Sequence, residues 1–342
     1  MVIASPDCRR VENRVSELVF PATKKQGQAT VRSIKLSGDQ TVPLRPQSIP
    51  PMTNRQIRFV LLPVLLLAVI PCFAVPSSFA DELSKASEVR IVSDVPYKTG
   101  SVSDAEQSRC KLDWYLPVGS KDFPTIVWFH GGGLKNGHKA GEHDVAIAKR
   151  FAADGIAVAS VNYRLSPAAT YPAYVEDAAA AVAFVYREVE ALGGASQRVF
   201  VSGHSAGGYL TAMVGLNPEL LSRHGVKRTD IAGYMPVAGQ MVTHSTVRSE
   251  RKVPRPRQVI DDAAPAYHVT ADTSPFLCIA GSNDLPVRSE ENRFFVAAMK
   301  AAGHQHIRFV EVQGRDHGTV ANLMSEPDDE VAAMLIEFIK QN

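Results

Sequence analysis

Gly203-His204-Ser205-Ala206-Gly207-Gly208 sets a serine two residues from a glycine on each side, a G-x-S-x-G pattern. A serine hydroxyl is a weak nucleophile at neutral pH. It attacks a carbonyl only when a base takes its proton and hydrogen-bond donors receive the charge that develops on oxygen. The pattern works as a nucleophile when it sits on a sharp turn between a strand and a helix, with small neighbours so that the hydroxyl can project. RVFVSG before it reads as a strand and AGGYLTAMVGL after it as a helix, so the context fits. About 75 residues upstream lies His130-Gly131-Gly132-Gly133. Such a loop can bring backbone N–H groups close to an oxyanion, since glycine permits both the tight turn and the close approach.

The base and its orienting acid follow from chain order. On such an elbow the partners come in the order serine, acid, histidine. Of ten histidines, only His304, His306 and His317 follow the strand that should carry the acid. His304 and His306 precede the last strand, at the edge opposite the serine, and read as solvated loop residues. His317 follows that strand, at the serine's edge. Asp284, just after PFLCIAG, is the expected acid; Asp261 and Asp262 come too early, and Asp316 faces away if His317 faces the site. No HExxH motif and no Cys/His cluster with ligand spacing occurs, so no metal or other cofactor is expected.

The elements that must position these groups alternate from residue 88 onward. EVRIVSDVPY and SRCKLDWYLPV read as two early strands. PTIVWFH (124–130) is a continuous apolar run, as a strand buried on both faces should be. A helix over 143–153, a strand over 156–165, and a helix opened by Pro172 and ended by Gly193-Gly194 follow. After the elbow come strands over 231–239, 275–281 and 307–314, with a helix that places Phe294, Phe295, Ala298, Met299 and Ala302 on one face, and a last helix through Val331, Leu335 and Phe338. Strands alternating with helices predict an α/β class with about eight strands, mostly parallel, flanked by helices. The irregular stretch 241–269 is the one long departure and reads as a small cap segment.

Composition divides the 342 residues unevenly. Residues 1–80 carry ten Lys/Arg and four Asp/Glu, and residues 81–342 carry 27 and 31. A mildly acidic body argues against a nucleic-acid partner. Residues 59–75 are almost wholly apolar, Arg55 and Arg58 precede them, and Ser78-Phe79-Ala80 follows. Basic, apolar, then small-x-small is the layout of a secretory signal peptide. Residues 52–80 are therefore expected to be a cleaved signal, with a retained membrane anchor as the alternative, and 81–342 the folded domain, secreted or periplasmic, with no membrane span left after cleavage. Residues 1–51 lack apolar periodicity and read as disordered, or as preceding the true start at Met52. Cys110 and Cys278 remain in the body and read as separate reduced thiols.

HGGG, YRLSP (163–167), GHSAGG, GSNDLPV and DHG, in that order, resemble the esterase/lipase branch of the α/β-hydrolases, from about residue 90 to the C-terminus. The nearest groups are the hormone-sensitive-lipase-like esterases and the bacterial feruloyl/acetyl-xylan type carbohydrate esterases. The resemblance implies an α/β-hydrolase fold and Ser205, Asp284 and His317 as the catalytic triad. It also implies the N–H groups of Gly132, Gly133 and Ala206 as the oxyanion hole. Leu134 and Lys135 stand where such families often carry a bulky aromatic. Long N-terminal cap helices of the lipase-like group are not evident, which favours the compact carbohydrate-esterase branch.

The expected activity is hydrolysis of a carboxylic ester, small or carbohydrate-linked, through an acyl-enzyme. A peptidase or an arylformamidase/amidase would use the same motifs, and a non-catalytic binding protein on this scaffold is opposed by the intact set. A large further domain, usual for such peptidases, does not fit in about 260 residues, and the signal argues against an arylformamidase. One segment stays ambiguous. VRSERKVPRPRQ (247–258) carries Arg248, Arg251, Lys252, Arg255 and Arg257 against Glu250 alone. It reads either as a solvated loop or as a basic rim that draws in anionic esters.

Overall fold

A computed structural model describes residues 88–254 and 256–342. The signal, the extension, Cys8, Cys72 and Arg255 lie outside the described residues. Eight strands form one sheet in the order β1-β2-β4-β3-β5-β6-β7-β8. They are β1 (Val89–Pro96), β2 (Lys111–Pro117), β3 (Phe123–Phe129), β4 (Ala157–Val161), β5 (Gly194–His204), β6 (Gly233–Val237), β7 (Phe276–Asn283) and β8 (Ile307–Asp316). β2 runs antiparallel to both β1 and β4, and every pair from β4 to β8 is parallel. Parallel neighbours need crossovers, and helices supply them. The main helices are α2 (Glu142–Ala153), α3 (Ala173–Glu188), α4 (Ala206–Leu216) and α7 (Arg288–Ala301), and α9 (Glu330–Gln341) follows the last strand. Shorter ones are α1 (Asp104–Arg109), α5 (Pro218–Ser222), α6 (Ser245–Glu250) and α8 (Thr319–Asn322). None of the described helices is long and apolar enough to cross a membrane.

The apolar runs are continuous because the central strands are covered on both sides. Val127 and Phe129 of β3 join one core layer with α3, α4 and α7. Ile126 and Trp128, pointing the other way, join a second layer with Ile147 and Phe151 of α2 and Leu335 and Phe338 of α9.

Three sequence expectations need correction. SRCKLDWYLPV does not begin as a strand: α1 precedes β2, and Cys110 closes that helix. Ser103 and Glu106 form a capping box that starts it, a spacing legible in the sequence. His304 is not solvated; its ring is 3% exposed, edge-on to Phe276, with Nδ1 3.3 Å from the Ala271 carbonyl. Phe294 leaves the buried face of α7, which Phe295, Val296 and Met299 form instead. Cys110 and Cys278 are buried, separate thiols.

Candidate active site

Strand register brings the site together. In the β7–β8 ladder Asn283 pairs with Asp316, so the next residue on each strand, Asp284 and His317, leaves the same sheet edge side by side. In the β3–β5 ladder Phe129 pairs with Gly203, which puts the loop after β3 against the elbow after β5.

Ser205 occupies the elbow at φ 56°, ψ −111°. A non-glycine residue in this region carries about 1–3 kcal/mol of strain and needs its surroundings to hold it. They do. Ser205 N–H donates to the Val237 carbonyl at 2.8 Å, and Tyr209 N–H to the Ser205 carbonyl at 3.0 Å. Gly207 has no alternative, because a Cβ there would lie 1.9 Å from the Phe129 carbonyl oxygen.

His317 Nε2 lies 2.8 Å from Ser205 Oγ, and His317 Nδ1 lies 2.6 Å from Asp284 Oδ1. A carboxylate only accepts, so Nδ1–H donates to Asp284 and Nε2 is left to accept the serine proton. Asp284 is fixed in turn by the Leu285 N–H at 2.6 Å. Burial pushes its carboxyl up, but His317, the Leu285 N–H and the Arg288 guanidinium outweigh that and hold it below its ordinary value. Asp316 turns away: its Oδ1 accepts from the N–H groups of Gly318 and Thr319 at 3.0 and 2.7 Å, which pins the turn carrying His317. Asp261 and Asp262 are engaged by Arg251.

His204 braces His317 from the side. Its Nε2–H donates to the His317 carbonyl at 2.6 Å, and the two rings are 4.9 Å apart. Burial, and then the charge His317 would carry, push the His204 imidazole down to about 4. It is neutral at ordinary pH.

The glycine loop is held from behind. Gly132 has φ 105° and Gly133 φ 64°, and a Cβ on Gly132 would come 2.2 Å from the Asn136 carbonyl oxygen. No described residue accepts from the N–H of Gly132, Gly133 or Ala206. His130 stacks on Tyr163, with centroids 4.4 Å apart, and Tyr163 Oη donates to the His130 carbonyl at 2.8 Å. His130 Nδ1–H donates to the Gly131 carbonyl at 2.7 Å, so Nε2 accepts from Arg109 at 3.3 Å. Burial pushes His130 down to about 3. The YRLSP motif supplies Tyr163 to this brace, and Ser166 N–H donates to the Leu134 carbonyl at 2.8 Å.

The cap segment meets the loop from the other side, where Thr246 Oγ1 of α6 donates to the Gly133 carbonyl. His244, just before α6, packs on Tyr209 with centroids 5.1 Å apart, and burial pushes it down to about 3. The basic stretch divides rather than acting as one rim. Arg248 is buried, while Arg251 is clasped by Asp261 and Asp262 and lies over the Tyr171 ring. Arg109, Tyr163, His204 and Thr246 have no role legible in the sequence, because each acts through a contact remote in the chain or from within a motif read for its serine.

Known proteins agree with this architecture. The BD-FAE family model matches residues 112–233, and the prolyl oligopeptidase family model matches 173–342. Esterase LipC of Mycobacterium tuberculosis is 29% identical over 217 residues, covering 58% of this chain and 54% of LipC. Carboxylesterase NlhH of the same species is 39% identical over 101 residues, 30% of this chain and 31% of NlhH. A truncated carbohydrate esterase from gut microbiota superposes with a TM-score of 0.61 at 18% identity, over 74% of this chain and 95% of that one. The chain has the α/β-hydrolase fold, and in sequence it is similar to esterases of that fold. It spans about half the length of LipC. The strand order, the antiparallel β2 and the elbow after β5 are those of an α/β-hydrolase, and the prolyl oligopeptidase match spans the part of it that carries Ser205, Asp284 and His317.

Proposed function

We propose that this α/β-hydrolase is a serine carboxylic-ester hydrolase acting on small or carbohydrate-linked esters, with Ser205 as nucleophile, His317 as base and Asp284 as orienting acid. The observation that carries the reading is the hydrogen-bond chain from Asp284 through His317 to a serine held at positive φ. His317 Nε2 takes the Ser205 proton as Oγ bonds to the ester carbonyl carbon. The carbonyl oxygen becomes an oxyanion within reach of the N–H groups of Gly132, Gly133 and Ala206. The alcohol leaves with the proton from His317. Water, deprotonated by His317, then attacks the acyl-enzyme and releases the acid. Asp284, ionised throughout, holds the imidazole tautomer and stabilises the imidazolium.

Hydrolysis of p-nitrophenyl acetate tests this directly. Wild type should turn it over and bind a fluorophosphonate covalently; Ser205→Ala should do neither. Labelling that persists in Ser205→Ala would remove the nucleophile assignment. The prolyl oligopeptidase match gives amide cleavage a footing as a second reading, and a matched p-nitroanilide decides between them: the ester reading expects it to be turned over far more slowly. Export after cleavage near Ala80 belongs to the same proposal, and N-terminal sequencing of protein made with its own leader tests it.

A further inference from the structure

A cavity of about 350 Å³ lies beside the glycine loop, lined by Lys135, Ser245, Thr246, Arg248, Ser249 and Val253. Small-molecule sites begin at roughly 300 Å³. Thr246 ties this wall to the loop through the Gly133 carbonyl. Lys135 is two residues beyond Gly133, a reach of at most ~7 Å along the chain. The cavity therefore abuts the loop assigned above to the oxyanion.

Its lining is one-sided in charge. Arg248 is only 6% exposed. Its Nη1 donates to the Thr243 carbonyl at 2.6 Å, while its Nε is enclosed with no partner. No carboxylate of the described residues forms an ion pair with it. Glu291, the acid whose field it feels, is taken by Arg288 at 3.3 Å and by the N–H groups of Met241 and Val242. A guanidinium cannot shed its proton, and a buried charge without a counter-ion is costly by several kcal/mol. Lys135 adds a second cation with no carboxylate partner among the described residues. Two of the three hydroxyls cannot donate to a ligand, because Thr246 donates to Gly133 and Ser249 to the Ser245 carbonyl at 3.0 Å. The donors left are Arg248, Lys135 and Ser245, and the lining holds no acid.

We propose that this cavity receives an ionised carboxylate carried by the ester substrate, so that the favoured substrates are esters bearing a second, free carboxylate. The proposal rests on the ester-hydrolase reading for its substrate, but the cavity can be tested without turnover. It replaces a diffuse basic rim with one buried arginine and one lysine.

Monomethyl glutarate and methyl pentanoate form a matched anionic and neutral pair. Wild type should have the higher kcat/KM for monomethyl glutarate. Arg248→Met should lower the anionic-to-neutral ratio of kcat/KM at least tenfold, mainly through KM. Lys135→Met should lower it about threefold, and Arg248→Lys should retain part of it. An arginine that only braces the Thr243 carbonyl would move both substrates together, and an unchanged ratio in Arg248→Met and Lys135→Met overturns the proposal. If Arg248→Met does not fold, Lys135→Met decides alone, by the same ratio. The binding arm uses calorimetry of monomethyl glutarate on Ser205→Ala. Binding should be detectable there and lost with Lys135→Met added; no binding, or binding that ignores Lys135, overturns the cavity. If Ser205→Ala still hydrolyses methyl pentanoate, the serine reading fails instead, and the calorimetric arm still decides the cavity.

Discussion

The elbow around Ser205 and the crossover 238–275 both border the site, and they rely on side chains to different degrees. The elbow is fixed by backbone. Strand register, two main-chain hydrogen bonds and carbonyl-to-glycine contacts leave it one conformation. The crossover has, among the described residues, one six-residue helix and a single 3₁₀ turn; the Thr243 N–H to the Val259 carbonyl and the Ala266 N–H to the Met241 carbonyl close it, and side chains tie it to its surroundings: Arg248 to Thr243, Thr246 to Gly133, Arg251 to Asp261 and Asp262. Backbone-fixed geometry suits a reaction that tolerates little displacement of its groups. Side-chain-fixed geometry can be re-specified by one substitution without disturbing the sheet. The groups proposed to react are accordingly concentrated at the strand ends, and the selectivity proposed above on the crossover.

The contrast is sharpest at the reacting groups. Ser205→Ala should lower kcat for p-nitrophenyl acetate by about 10³-fold or more, and His317→Ala by a similar factor. The double variant should lose little beyond either single one, because the two act as a unit. Multiplicative losses in steady-state rates would show that they do not. Asp284→Asn, which favours the wrong imidazole tautomer, should lower kcat by up to about 10⁴-fold with the fold intact. Full activity in Asp284→Asn would remove Asp284 from the role of orienting acid.

Gly207→Ala tests the backbone side directly. A Cβ 1.9 Å from the Phe129 oxygen has no flexible neighbour to push aside. The loss expected is about 3–5 kcal/mol, in the class of severe core disruptions, or failure to fold. Gly133→Ala meets nothing within 4 Å and suffers only from φ 64°, about 1–2 kcal/mol. Urea unfolding of the two variants should rank them in that order; equal losses would mean the elbow is less confined than its contacts imply.

The same division explains what the sequence made legible. The serine, its glycines, the order acid-then-histidine and the long apolar strands are local signals, because each reflects what the nearest few residues of backbone require. Asp284 and His317 can be placed beside Ser205 from the sequence because strand order alone sets which edge each loop leaves. The capping box at Ser103 and Glu106 is likewise a local signal. His304 was placed in solvent because its cover, Ala271 and Phe276, lies some thirty residues away in the chain. For the same reason a charge-rich stretch looked uniform, although Arg248 turns inward and Arg251 pairs with acids ten and eleven residues on.

One buried neutral histidine lies behind the glycine loop and another on the crossover. His130, behind the glycine loop, is pushed down to about 3 by burial and then by Arg109, partly offset by its bond to the Gly131 carbonyl. His244, on the crossover, is pushed to about 3 by burial, then Arg288 and Arg248. Unfolded, each takes up a proton near its ordinary value of 6.5, so the unfolded state binds more protons below that pH. Stability should be flat above about pH 7 and fall as pH drops from 6.5 toward 3, by about 2 kcal/mol per histidine at pH 5. Urea midpoints at pH 7.5 and pH 5 check this; equal midpoints would contradict the burial of both rings.

The smallest expected effect is at Arg251. Its Nη1 lies 2.6 Å from Asp261 and 2.8 Å from Asp262, its Nη2 3.0 Å from Asp262, and its guanidinium 5.1 Å from the Tyr171 ring centroid. The cluster is partly exposed, with Arg251 at 32% and Asp262 at 59%. Partly exposed pairs contribute about 0.2–1 kcal/mol, and an exposed cation–π contact about 0.5–1. Arg251→Gln should therefore destabilise by about 1 kcal/mol, a few degrees in Tm for a domain of this size, and by less at high salt. Two carboxylates already outweigh the charge of Arg251, so the cluster presents a net negative face and cannot attract an anionic ester. Arg251→Gln should leave the preference for monomethyl glutarate over methyl pentanoate within about twofold of wild type, in contrast to Arg248→Met. If Arg251→Gln lowers that preference as much as Arg248→Met does, and the loss fades with added salt, capture depends on the summed field of the crossover. A loss confined to Arg248 and Lys135 locates it in the cavity beside the glycine loop.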